Sequence, residues 1–257
     1  MIEFKDSVLD AELGKTHIFS TGQAGFVIKT KSGKLIAIDL YLSDCVERIE
    51  PDHIGYRRLL PKILSPNELV FDVVICTHFH RDHFDVDSVP TLMKNDKTKL
   101  LCPLDCENDV NENDIDKSRV IFIKPGDKFL FDDYELQFIN CDHGTGAPLA
   151  VGVIVKTDKK IILEVGDTCL RLDRADEYKT LGEIDVLIAP INGMYGNLNS
   201  KDCAVLDDAL KAKLVIPCHY GMFAAHMGSV GEFHNIMDSE YPNNKYLMMR
   251  QGEKYTF

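Results

Sequence analysis

Val73-Val74-Ile75-Cys76-Thr77-His78-Phe79-His80-Arg81-Asp82-His83 is the stretch on which the reading of the chain turns. Its first half is a short, continuous apolar run, the pattern of a strand buried on both faces. Its second half places four potential metal ligands within six residues, on a loop leaving the carboxyl end of that strand. Imidazole and carboxylate together suit zinc and other divalent transition metals. On such a loop alternate side chains can aim one way while the next two fold back. His78 and His80 could then hold one ion, and Asp82 and His83 another. With nine histidines in 257 residues, three within six positions is not the density of an ordinary polar surface loop.

Three further candidates stand at equivalent places downstream. His143 follows YELQFIN, Asp167 follows IILEV, and His219 follows KLVIP. Each lies just past the carboxyl end of an apolar strand, the edge at which ligands collect in layered α/β proteins. One histidine after one strand is ordinarily a structural hydrogen-bonding residue. Seven candidates in matched positions form a set.

Around this set, the pattern predicts many strands first, then strands mixed with helices. The first forty residues read as strands, with Phe26–Thr30 and Leu35–Asp39 paired across Ser32-Gly33. Val46 to Leu64 reads as helical stretches broken by Pro51 and Pro61, and Asp87 to Asn95 as a helix. Asp105 to Lys117 is acidic and Asn-rich, a solvated loop or short helix. Further hairpins are expected across Asp132-Asp133 and Asp158-Lys159, and helices over Ser200–Lys211 and Val230–Met237. No repeat or linker interrupts the chain, so residues 1–257 read as a single α/β domain, two packed sheets covered by helices.

Composition narrows the function. Lys and Arg number 29 against 41 Asp and Glu, a net charge of −12. That balance opposes a nucleic-acid footprint, which needs a basic stripe, and fits small-molecule substrates. No apolar run is long enough to span a bilayer and no export signal opens the chain, so no membrane partner is expected and the reading is cytoplasmic. The eight cysteines include no Cys-x-x-Cys pair and are expected as free thiols.

The order HxHxDH, His, Asp, His resembles the metallo-β-lactamase superfamily, over nearly the whole chain. The resemblance implies a four-layer αββα sandwich with two divalent metal ions, zinc or manganese, at the edge between the sheets. It implies that His78, His80 and His143 hold the first metal, that Asp82, His83 and His219 hold the second, and that Asp167 bridges them. Four stretches, Tyr41–Glu50, Thr77–Pro90, Ala189–Asn199 and Val215–Phe223, resemble the L-ascorbate-6-phosphate lactonase branch.

Such a centre would lower the pKa of a shared water toward neutrality, and the metal-bound hydroxide would open a small anionic lactone. Asp82 could orient that hydroxide or carry the proton to the leaving oxygen. The loop Pro190–Asn197 is expected to contact substrate through Asn192, Tyr195 and Asn197. Tyr220 is a candidate oxyanion donor, or a packed core residue. Cys169 and Cys218 read as packed thiols, and His17, His53, His226 and His234 as surface residues or residues behind the ligands. His53, Arg57 and Arg58 form a weak candidate anion site, more simply a solvated helix face. The segment GQAGFVIK after Thr21 reads as a turn. The rival readings are a phosphodiesterase or ribonuclease of the same superfamily, and a metal-loaded binding or regulatory protein. A homo-oligomer is compatible with the sequence.

Overall fold

The computed structural model describes residues 3–50 and 55–257. Its strands are β1 (His17–Gly22), β2 (Gly25–Lys29), β3 (Leu35–Ile38), β4 (Val73–Ile75), β5 (Lys99–Pro103), β6 (Val120–Ile123), β7 (Lys128–Leu130), β8 (Tyr134–Asn140), β9 (Val151–Thr157), β10 (Lys160–Glu164), β11 (Val186–Pro190), β12 (Val215–Cys218) and β13 (Lys254–Thr256). The helices are α1 (Phe4–Leu9), α2 (Cys45–Ile49), α3 (Val89–Leu92), α4 (Glu107–Glu112), α5 (Ala175–Lys179), α6 (Ser200–Leu210) and α7 (Val230–Glu240). One sheet has the order β13-β1-β2-β3-β4-β5-β6 and the other β12-β11-β10-β9-β8-β7. Each mixes antiparallel hairpins with parallel crossovers: β3 to β6 run parallel in the first, β10 to β12 in the second.

Side-chain alternation builds the layers. Ile18, Phe26, Ile28, Ile36, Ile38, Val73 and Ile75 meet Leu136, Phe138, Val153, Val155, Ile162, Val186 and Ile188 in a core between the sheets. Their strand neighbours Phe19, Val27, Ala37, Val74 and Leu100 face outward onto Val8 of α1, Leu92 of α3 and Val110 of α4. On the far side Ile154, Leu163, Leu187 and Val215 pack under Tyr178, Leu206, Leu210, Phe233 and Met237 of α5 to α7. Three apolar layers between four structural ones make the αββα sandwich. Both faces of each sheet are covered, which is why its strands read as unbroken apolar runs.

The structure corrects several expectations. The chain opens with α1, whose Phe4 and Val8 lie one turn apart and are buried, before any strand. In the Val46–Leu64 region the helix is only α2; residues 51–54, and with them His53, lie outside the described residues. Arg58 is no anion site. Its Nη1 donates to the carbonyls of Tyr41 and Ser43 at 3.0 and 3.1 Å, and its Nε donates to Leu60, so it clamps neighbouring backbone. The helix expected over Asp87–Asn95 shrinks to α3. Strand β13, without an apolar run, forms by pairing its backbone with the edge of β1. All eight cysteines are free thiols, and no described helix is long and apolar enough to cross a membrane.

Helix α6 starts with a capping box between Asn199 and Asp202 and carries an uncompensated buried acid. Asp207 is fully buried. One carboxylate oxygen accepts from Asn244 at 3.0 Å, and the other has no partner among the described residues. Burial, with Asp208 adding to it and Asn244 and Lys211 opposing, pushes its pKa up to about 7. The folded chain therefore holds this proton where the unfolded chain has released it, and the stability so contributed is lost as pH rises through about 7. Asp207→Asn keeps the bond to Asn244 without the charge. Calorimetry should show a melting temperature raised by a few degrees at pH 8 and unchanged near pH 4, at about 2–4 °C per kcal/mol for a domain of this size.

Candidate metal centre

The loops leaving β4, β8, β10 and β12 bring five imidazoles and two carboxylates together at one edge of the sandwich. His78, His80 and His143 form one group whose ligand atoms lie within 4.8 Å of one another; Asp82, His83 and His219 form a second; and Asp167 joins His78 and His83 in a third. His80 Nδ1 is 3.0 Å from His78 Nε2 and 3.1 Å from His143 Nε2. Asp167 Oδ2 lies between the groups, 3.1 Å from His219 Nε2, 3.4 Å from His83 Nε2 and 3.9 Å from His143 Nε2. All seven residues singled out in the sequence are thus gathered.

Local structure explains the convergence. After β4 the loop turns back on itself, with the amides of His83 and Phe84 donating to the His80 carbonyl at 2.9 and 2.7 Å. Phe84, fully buried in the outer core, anchors that turn. Gly166, at φ 67°, swings the chain so that Asp167 faces the cluster; a Cβ there would lie 2.9 Å from the Val151 carbonyl oxygen. Behind the ligands sits Asp39, fully buried at the end of β3. Its Oδ1 accepts the Thr77 amide at 2.7 Å, and its Oδ2 accepts both the Thr77 hydroxyl and His83 Nδ1 at 2.7 Å. The Thr77 hydroxyl gives its single proton to Asp39, so it accepts from His78 Nδ1 at 3.0 Å. Both rings therefore keep a proton on Nδ1 and aim Nε2 at the cluster, the usual arrangement of metal-ligating histidines.

Electrostatics divides the site. Burial holds His78 and His80 below the ordinary imidazole range and takes His143 down to about 4. Burial acts the same way on His83 and His219, but there Asp167 and its neighbouring carboxylates win, raising His83 and pushing His219 up to about 9. Burial would raise Asp82 and Asp167, yet His83 and His219 hold both carboxyls well below their usual range. Three imidazoles held neutral, two more whose protons a cation would displace, and two ionised carboxylates are a donor set that fits divalent transition ions. Backbone strain gathers here too. His219, Gln23 and Asp39 have φ of 62°, 55° and 48°, left-handed conformations that non-glycine residues adopt at a cost of order 1 kcal/mol each.

The family model described as the beta-lactamase superfamily domain matches residues 17–219, from β1 through the last of the seven ligands. This chain belongs to the beta-lactamase superfamily. A UPF0173 metal-dependent hydrolase of Polynucleobacter asymbioticus is 27% identical over 95% of this chain and 87% of its own length. One from Anoxybacillus flavithermus is 30% identical over 62% of this chain and 72% of its own. The chain thus groups with metal-dependent hydrolases of the superfamily. In fold it resembles Igni18, a metallo hydrolase of Ignicoccus hospitalis, with a TM-score of 0.75, 21% identity, and 95% and 98% of the two chains covered.

His80, Asp82, His143, Asp167 and His219 of this cluster floor a pocket of about 380 Å³. Val46, Ile49 and Phe79 give it an apolar wall, and Tyr56 and Tyr195 line it with their hydroxyls in contact. Tyr195, expected to meet substrate, stands at this pocket. The other expected contacts do not. Asn197 is buried and donates to Asp167 Oδ2 at 2.8 Å and to Asn192 Oδ1 at 3.2 Å, so this pair braces the carboxylate between the metal groups. Tyr220 lines a separate cavity of about 320 Å³, and its hydroxyl donates to the Met249 carbonyl. Cys169 and Cys218 take no part in the ligand groups.

Sequence reasoning missed two residues. Gln23 lies in the turn between β1 and β2, and its Nε2 donates to Asp82 Oδ2 at 2.8 Å. His226 lines the pocket and stacks on His219, ring centroids 4.8 Å apart. Neither follows an apolar strand in the way the ligands do, so nothing in the pattern marks it.

Asp167→Ala, which removes the oxygen lying between the two groups, should leave less than half the wild-type metal by elemental analysis of protein purified without chelator. Asp39→Asn should weaken metal affinity by about 10–100-fold in competition with a chromophoric chelator, the range for partners that orient ligands, with the fold retained by circular dichroism.

Proposed function

We propose that this metal-dependent hydrolase opens a small anionic lactone, such as the lactone of a sugar acid or its phosphate. One observation carries the reading: five of the seven His and Asp residues, His80, Asp82, His143, Asp167 and His219, floor a pocket of about 380 Å³ whose other lining groups are Val46, Ile49, Phe79, Tyr56, Tyr195, His226 and the charged Glu50 and Arg81. That volume suits a small molecule. When bound, a pair of divalent ions, zinc or manganese by donor type, supplies an activated water and a Lewis acid at the pocket floor. The rest falls to this chain. Asp82, held on one oxygen by Gln23, would orient the attacking water, take up its proton and pass that proton to the leaving alkoxide. Tyr56 and Tyr195 offer hydroxyls to an acyl or sugar oxygen, and the apolar wall keeps bulk water out. The like-signed net charge of −12 disfavours a polyanionic substrate such as RNA, and so ranks phosphodiester cleavage second.

The test is a single panel of sugar lactones, sugar-phosphate lactones, phosphodiesters and thioesters, run with metal-loaded protein and a His80→Ala control. Lactone opening at least ~100-fold above the control supports the reading. Phosphodiester cleavage alone would leave the site chemistry standing and discard the lactone.

A further inference from the structure

We propose that His226 is a substrate-contacting residue, a neutral hydrogen-bond donor whose proton is locked onto Nε2 by Gln23. The lock follows from hydrogen-bond polarity alone, and the chemistry of the occupant rests on the lactone reading above.

Gln23 Nε2 lies 2.8 Å from Asp82 Oδ2 and 3.0 Å from His226 Nδ1. A metal-ligating carboxylate is ionised and only accepts. The Gln23 atom facing Asp82 must therefore be the amide nitrogen. That nitrogen has two protons. One goes to Asp82 and the other to the nearest remaining acceptor, His226 Nδ1; the ring nitrogens of His219 are farther, at 3.3 Å. Since Nδ1 of His226 accepts, its ring proton sits on Nε2.

The ring cannot turn to escape this assignment. His219 stacks on one face at an interplanar angle of 27°. Phe223, Tyr56 and Tyr195 meet it roughly edge-on at centroid distances of 5.1, 5.9 and 5.9 Å. His226 is only 7% exposed, lines the pocket above the cluster, and has no described hydrogen bond at Nε2. A fixed N–H beside Asp82 and His219 lacks only an acceptor oxygen, which the carbonyl, ring oxygen or carboxylate of an ester substrate or its product provides. The left-handed backbone of Gln23 also gains a purpose, because that conformation places one amide between a ligand and a binding residue.

The zinc-loaded protein, labelled with ¹⁵N-histidine, tests this without turnover. The His226 resonances, identified by their loss in His226→Asn, should show Nδ1 unprotonated and Nε2 protonated. Gln23→Leu should abolish that preference. Gluconate, the acid released from a sugar lactone, should shift the Nε2–H signal. His226→Phe should weaken gluconate binding about tenfold, the worth of one hydrogen bond, and His226→Gln, which restores an N–H, should recover most of it. A proton on Nδ1, a tautomer indifferent to Gln23→Leu, or gluconate affinity unchanged in His226→Phe would overturn the proposal. An intact lock and gluconate contact with no lactone turnover would sink the lactone reading alone.

Discussion

Asp39 is buried from water at the end of β3 and accepts from the Thr77 amide, the Thr77 hydroxyl and His83 Nδ1. Much of the site depends on this one carboxylate. It ties the loop after β4 to the adjacent strand, so the ligand-bearing turn cannot drift from the sheet that delivers it. Through Thr77 it also sets the ring of His78, and directly that of His83, one from each metal group. A buried carboxylate is costly unless its oxygens are filled. Here filling them and orienting the ligands are the same set of hydrogen bonds.

The same economy recurs on the other sheet. Asp167 reaches ligands of both groups and is braced by Asn197, which leans on Asn192. Three residues earlier, Glu164 is buried with one oxygen on the Gly166 amide and the other unpartnered, and burial raises its carboxyl well above the usual range. Strained backbone at Asp39, Gln23 and His219 adds to the load. Such tension is tolerated because three apolar layers hold the strand ends in place, and because a cation would neutralise the converging carboxylates. Stability is stored in the layers and spent at the edge.

The sandwich also decides what reaches that edge. The segment carrying Tyr56 and the loop carrying Tyr195 arrive from opposite sides and meet over the pocket. Arg58 secures the first by bonding the backbone around Tyr41 and Leu60. The pocket is thus defined by the short helix α2 and by connections that have no regular pattern of their own, while the candidate ligands below it come from strand ends that do.

That contrast separates what was legible in the chain from what was not. The ligands could be read because metal chemistry needs particular residue types, and a strand end is marked by the apolar run before it. The layered fold could be read because sheets covered on both faces demand unbroken apolar strands. The short helix α1 and the edge strand β13 escaped, and α3 was expected too long, because their few residues carry too little periodicity and are held by neighbours. Asn197 and Tyr220 looked like substrate contacts, yet each spends its hydrogen bonds inside the protein. Gln23 and His226, 203 residues apart, looked ordinary and stand at the reacting edge. By itself the sequence marked the candidate donors and two packed sheets covered by helices, since strand-end position and apolar runs are written along the chain. Only the tertiary structure decided which polar side chains face the pocket, because that depends on hydrogen-bond partners brought together from distant segments.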